Sequence, residues 1–164
     1  MKRQLLIVEA IVNHPTIKLV LIGNADTPYG NDLRKRVQYL GLHDRILIKG
    51  FVSRKEKITL YANALAVYNG AYEEDYGYVT LEGFFSSKPV ITHTDSGGPL
   101  EFIINNKNGF ITDPSPSSIA SVLEELTVQK AQKLGEAGRQ LMLDLDLNWD
   151  FIINSLTLSE HKDF

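Results

Sequence analysis

Two glutamates, Glu74 and Glu82, lie eight positions apart on either side of a glycine, Gly77. The apolar run Ala66-Val67-Tyr68 ends just upstream at Asn69-Gly70. Downstream, Tyr78, Leu81 and Phe85 recur at three- and four-residue spacing, one stripe of a helix. Glu74 therefore falls in a loop at the carboxyl end of a strand, and Glu82 falls in the second turn of the helix that follows. In open α/β sheets that crevice is where ligands bind. The first amides of such a helix, those of Gly77, Tyr78 and Val79, have no intrahelical acceptor and favour an anion. A carboxylate beside them is a strong, directional acceptor for hydroxyl groups such as those of a sugar. After the next apolar strand comes SGGPLE, Ser96 to Glu101, a Gly-Gly turn followed by a helix start.

The stretch EDYGYVTLE, Glu74 to Glu82, followed by SGGPLE, resembles the retaining nucleotide-sugar glycosyltransferases of the GT-B fold, glycosyltransferase family 4. The family motif is a Glu, seven residues and a second Glu, with an aromatic and a Gly soon after the first. The resemblance covers essentially the whole chain and implies the carboxyl-terminal, donor-binding domain of a two-domain enzyme. It places the amino-terminal, acceptor-binding domain outside residues 1–164, in cis or in trans. Glu74 then holds hydroxyls of the transferred sugar, and Glu82 holds the ribose hydroxyls. Lys2, by its distance to Glu9-Ala10, matches the Lys of a Lys-Gly pair that opens the family's first helix. With the amides of Gly77, Tyr78 and Val79 it would neutralise the departing diphosphate. Arg3 stands where the glycine of that pair is usual. Main-chain groups near Phe51 and Val52 read the base edge, with Lys55 nearby, and Gly97 and Gly98 sit beside the donor sugar and phosphate. The implied donor is a UDP-, GDP- or ADP-sugar, with no metal and no other cofactor. The implied transfer is front-face displacement to an acceptor hydroxyl of a polysaccharide, lipopolysaccharide or glycolipid.

One family feature has no counterpart here: the strand, with its Arg, that precedes the Lys. In a 3-2-1-4-5-6 order that strand is central. The expectation is a gap in the sheet, a rearrangement, or a strand supplied by a partner or a second copy.

Each residue also has an ordinary reading. Glu82 on an arbitrary helix would be a solvated carboxylate, and Glu74 belongs to an acidic run, Glu73-Glu74-Asp75. Gly77 can be a plain helix cap, Lys2 a terminal charge, Phe51 a core residue, and Gly97-Gly98 a plain turn. Asp144-Leu145-Asp146 matches a metal pattern but ends a helix far from any strand end. His14, His43, His93 and His161 lack ligand spacing, although His93 ends a strand beside the crevice.

The elements that must position these residues alternate. Helices are expected at 2–13, 32–40, 53–62, 99–105, 115–126, 128–144 and 149–158, with the central one opened by Gly77 and carrying Tyr78, Leu81 and Phe85. Strands are expected at 17–22, 45–49, 65–68, 89–92 and 109–112, the last at an edge. That alternation predicts a single α/β domain, a Rossmann-like doubly wound parallel sheet over 1–164. Trp149 reads as a packing residue.

Composition narrows the function classes. A formal charge of −3 carries no basic field for nucleic acid. The chain has no cysteine, which excludes disulfides and thiolate metal sites. No run reaches the roughly 18 apolar residues of a spanning helix. The expectation is a cytoplasmic domain, the full enzyme working peripherally at the inner face of a membrane. Two rivals remain: a non-catalytic GT-B half acting as partner or remnant, and an unrelated doubly wound binder.

Overall fold

A computed structural model describes residues 2–145. The chain begins with a short helix, α1 (Gln4–Ala10), continued as a 3-10 turn over Ile11–Asn13. Then β1 (Leu19–Ile22), α2 (Pro28–Tyr39), β2 (Ile46–Gly50), α3 (Arg54–Asn63) and β3 (Val67–Tyr68) follow. The second half runs α4 (Tyr78–Phe85), β4 (Val90–His93), α5 (Pro99–Phe102), β5 (Gly109–Thr112), α6 (Pro116–Glu125) and α7 (Val128–Asp144).

The start of α2 differs from the expected Asp32. Thr27 caps it, its hydroxyl accepting from the Gly30 amide at 3.0 Å, and Pro28 occupies the first turn, where its missing N–H costs nothing. The polar stretch that reads as a loop is thus partly a capped helix start. Ser53 caps α3 by accepting from the Glu56 amide, whereas the Glu56 carboxylate turns away to Lys49 at 2.6 Å. Helix α5 is shorter than its expected span. The expected helix at 149–158 and Trp149 lie outside the described residues, as do Asp146 and His161.

All pairings between named strands are parallel, and they form two sheets. One joins β1 to β2, the other has the order β3-β4-β5. No ladder joins β1 to β3 among the described residues. Val20 and Ile22 of β1 share one sheet face with Leu47 of β2, and all three are exposed, although β1 is apolar throughout. Within the described chain a gap therefore stands between β1 and β3.

Each half has its own core. In the first, Ile7, Val8 and Ile11 of the amino-terminal helix pack on Leu33 and Val37 of α2, Ile46 of β2 and Ile119 of α6. In the second, β4 is covered on both faces. Ile91 meets Val122 and Leu134 on one side, and Val90 meets Phe84 and Met142 on the other. Alternate residues of a strand point to opposite faces, so all four residues of β4 are buried: Val90 and Ile91 in the two apolar layers, Thr92 and His93 through hydrogen bonds. Helix α7 fixes α4 by close approach: a Cβ on Gly138 would lie 2.4 Å from the Phe84 ring. That contact and the β4 packing set where the amino end of α4 points.

Candidate functional site

The site lies where β3 and β4 end and α4 begins. Lys2, which precedes α1, lies beside the loop after β3, its backbone paired with Ala71. Its ammonium donates to Glu74 Oε1 at 2.7 Å. The other oxygen, Oε2, accepts from the Asn69 side-chain amide at 3.1 Å, and that amide also donates to the Thr80 hydroxyl at 3.3 Å. Asn69 is buried at the end of β3 and Thr80 in the first turn of α4. One amide thus registers the Glu74 carboxylate against the helix.

The backbone of Glu74 is equally fixed. Its N–H donates to Ser96 O at 2.9 Å, and its carbonyl accepts from the Gly98 amide at 2.7 Å. The two glycines of SGGPLE are required by this contact. Gly97 has φ +73°, and a Cβ there would sit 2.8 Å from Glu74 O; one on Gly98 would sit 2.4 Å from Asp75 O. Substituted, the turn could not carry the Glu74 loop on its back.

Gly77 opens α4 in the left-handed region, with φ +64°. Among the described residues no protein acceptor takes the amides of Gly77, Tyr78 or Val79. Pro99 packs against this helix start, where a Cβ on Gly77 would lie 3.1 Å from the Pro99 nitrogen.

Glu82 projects from the second turn toward α3. Its Oε1 accepts from the Lys57 ammonium and its Oε2 from the Tyr61 hydroxyl at 2.9 Å. Burial raises the Tyr61 pKa, and the nearby Glu82 charge raises it further, so the phenol remains a donor. Glu74 and Glu82 share no partner; they flank the start of α4, each held by its own set of donors.

The stretch after β2 behaves differently. Phe51 is 82% exposed, Val52 is half-buried and Lys55 is exposed on α3. Among the described residues none of the three has a side-chain bond to Glu74 or Glu82; Lys57 is the cation of this segment that reaches Glu82. Lys57, Tyr61 and Asn69 are residues that sequence reasoning missed. A heptad-scale signal exists only for Tyr61, four positions after Lys57 and so on the same helix face.

Next to Lys2, Arg3 is mostly buried and makes a bidentate pair with Asp95, Nη1 to Oδ2 at 2.8 Å and Nη2 to Oδ1 at 2.7 Å. The same guanidinium donates to the carbonyls of Gly70 and Ala71. Its hydrogen bonds hold the Asp95 carboxyl below the usual carboxylate range and raise the Arg3 pKa. His93, at the end of β4, is fully buried between the Tyr68 hydroxyl (2.8 Å from Nε2) and the Thr112 hydroxyl (3.1 Å from Nδ1). It packs inward, away from the open face.

That face is open. Tyr76 and Tyr78 stack on one another with ring centroids 5.6 Å apart and are 68% and 64% exposed. The arrangement is carboxylates held by lysine, tyrosine and asparagine donors, helix amides without a protein acceptor among the described residues, and aromatic rims, able to hold a polyhydroxylated anion. Among the described residues no group of three or more His, Cys, Asp or Glu is placed to hold a metal ion.

Comparison with known proteins accords with this geometry. The chain is 26% identical over 136 residues to the alpha-1,3/1,6-mannosyltransferase ALG2 of Dictyostelium discoideum, covering 78% of this chain and 32% of that protein. Anabaena Alr3699/HepE, solved in complex with UDP and glucose, superposes with a TM-score of 0.83 at 22% identity, over 96% of this chain and 44% of that one. The carboxyl-terminal domain of the group 1 glycosyl transferase LpcC from Francisella tularensis superposes with a TM-score of 0.76 at 25% identity, over 87% of this chain and 78% of that one. The chain therefore spans about a third of the ALG2 relative and less than half of HepE. The family described as "Glycosyl transferases group 1" matches residues 1–141. With the parallel α/β architecture of GT-B carboxyl-terminal domains, the chain belongs to the group 1 glycosyl transferases.

Proposed function

We propose that this chain is the donor-binding domain of a retaining hexosyltransferase of family 4, taking a nucleoside diphosphate sugar. The observation that carries this reading is the Lys2–Glu74 pair, 2.7 Å apart beside the bare amides of Gly77 to Val79. A diphosphate laid across the start of α4 meets the helix amides and the Lys2 ammonium, both of which stabilise anionic charge. Lys2 gives its donors to the diphosphate, and Glu74, still oriented by Asn69, accepts hydroxyls of the sugar. Glu82, oriented by Lys57 and Tyr61, accepts the ribose hydroxyls. As the glycosidic bond to phosphate breaks, charge grows on the diphosphate where the donors already point, which is the electrostatic work required. No metal is needed for that step, because the ammonium and amides supply the positive field.

The base lies over the segment after β2, where the exposed Phe51 and the backbone of Val52 are within the same face. Lys57 replaces Lys55 as the cation of this segment. A hexose donor is in keeping with the mannosyltransferase relative and with the UDP and glucose of HepE. The acceptor side, for a polysaccharide, lipopolysaccharide or glycolipid, belongs to an amino-terminal domain outside this chain, in cis or in trans. With it the enzyme works at the cytoplasmic face of a membrane. The gap between β1 and β3 favours one second reading: a non-catalytic half that completes a partner or a second copy.

The test is titration calorimetry of the chain with UDP, GDP, ADP and their sugars, beside Glu82→Ala. One nucleotide series should bind, and the substitution should weaken it by about 10- to 100-fold, the loss of charge-assisted hydrogen bonds. Silence from all three series sinks the reading.

A further inference from the structure

Arg3 ties the amino-terminal segment to two separate parts of the chain, Tyr68 to Tyr72 and Asp95. It sits immediately after Lys2 and before α1. Its Nε donates to Gly70 O at 3.0 Å and its Nη2 to Ala71 O at 2.7 Å, both in the loop that leads to Glu74. Its two terminal nitrogens fork onto the Asp95 carboxylate, in the loop that leads to Gly97-Gly98. The main chain repeats the pattern: Arg3 N–H donates to Gly70 O at 3.1 Å, and Arg3 O accepts from the Tyr68 hydroxyl at 3.2 Å. The guanidinium also lies over the Tyr72 ring, 5.6 Å from its centroid. The Arg3 side chain is 14% exposed and that of Asp95 34%, so the pair is half-buried with its acidic side toward water. A planar fork can bind a carboxylate with one edge and carbonyls with the other; an ammonium cannot. Arg3 is also the position at which the sequence resemblance expects glycine.

We propose that Arg3 is a positioning residue, fastening the segment that carries Lys2 to the loops that carry Glu74 and Gly97-Gly98, so that the anion site holds its shape without Arg3 touching ligand. A second effect follows from charge. Asp95 stands one residue from Ser96, whose carbonyl takes the Glu74 amide. Without Arg3, a bare carboxylate would face the same end of the sheet as the incoming diphosphate, and like charge there opposes binding. The geometric and electrostatic parts separate by substitution. Arg3→Lys keeps the charge and loses the fork, Arg3→Ala loses both, and Asp95→Asn with Arg3→Ala removes the stranded charge while leaving the loops unfastened.

This inference rests on the donor-site reading for its ligand arm but not for its structural arm. The structural arm is hydrogen exchange of the ligand-free 164-residue chain at the amides of Glu73, Glu74 and Gly98, which bond to Asp95 O, Ser96 O and Glu74 O. Arg3→Ala should speed exchange there by about tenfold or more, the loss of hydrogen bonds to a charged group, while amides of β4 and β5 keep their rates. Arg3→Lys should give an intermediate rate and supplies the answer if the alanine variant does not fold. Unchanged rates at the three amides, or an equal rise along the whole chain, overturns the proposal. The ligand arm is calorimetry with the nucleoside diphosphate that the wild type binds. Affinity should fall by about tenfold or more in Arg3→Ala and recover in part with Asp95→Asn. Unchanged affinity in Arg3→Ala overturns the positioning role. If the wild type binds no nucleotide, the donor-site reading fails alone and the exchange arm still decides the fastening.

Discussion

At Glu82 two donors from α3 hold one carboxylate, and only one of the lysines there can do it. Lys55 and Lys57 are two residues apart on a helix, about 200° around its axis, so they face opposite sides. The sequence shows both and cannot choose without knowing which face of α3 meets α4. Glu74, Glu82, Lys2 and the Gly-Gly turn were legible because spacing along the chain carries them. Asn69, Tyr61 and the Arg3–Asp95 pair were not, since their partners lie up to 92 residues away and meet only in the fold. His93 gives a prediction at this scale. Burial, then the positive charge of Arg3, lowers its pKa, so the native state keeps it neutral. The unfolded chain takes up a proton near the ordinary value of about 6.5 and is thereby favoured. Stability should therefore be constant above about pH 7 and fall from there toward pH 5. Urea midpoints across that window should show the fall, and His93→Gln should flatten it. Asp95, whose pKa is depressed by Arg3, contributes a separate loss that begins only as pH falls through the ordinary carboxylate range, about 4.

Helix α4 owes its direction to neighbours rather than to its own sequence. Phe84 is fully buried against Gly138, and Gly83 leaves room for Val90 of β4, where a Cβ would lie 2.8 Å from the Val90 side chain. That α4 is a helix was legible, but the stripe of Tyr78, Leu81 and Phe85 is not its buried face: Tyr78 and Phe85 are exposed, and Thr80, Gly83 and Phe84 pack inward. Gly138 of α7, which receives Phe84, was not legible, because a helix glycine reads as a weak point until something packs on it. Gly138→Ala would normally favour a helix by up to about 1 kcal/mol. Here the added methyl meets the Phe84 ring, and overpacking of this kind costs about 1–3 kcal/mol. Denaturant unfolding should show net destabilisation, and nucleotide affinity should fall with it as the amide end of α4 is displaced. A stabilised Gly138→Ala chain would show that α4 can shift without cost. Helix α2 teaches the opposite lesson. Its true start was written in Thr27-Pro28, but the following Tyr-Gly-Asn looks like a loop, and the cap overrides it.

For the molecule as a whole, alternation of strands and helices revealed the parallel α/β class, while the division into two sheets was one of three arrangements that the sequence left open. The proposed division of labour predicts that the chain alone binds nucleotide and transfers no sugar from any donor in a radiolabel assay. Adding the amino-terminal half of a group 1 enzyme should be required for transfer; sustained turnover by the chain alone contradicts it. The break between β1 and β3 has a mechanical meaning too. Because the two cores meet mainly through α6, with Arg3 as a rivet at one end, stress does not spread evenly. Warmed or loaded, the molecule should part along this seam first, each half outlasting the joint between them.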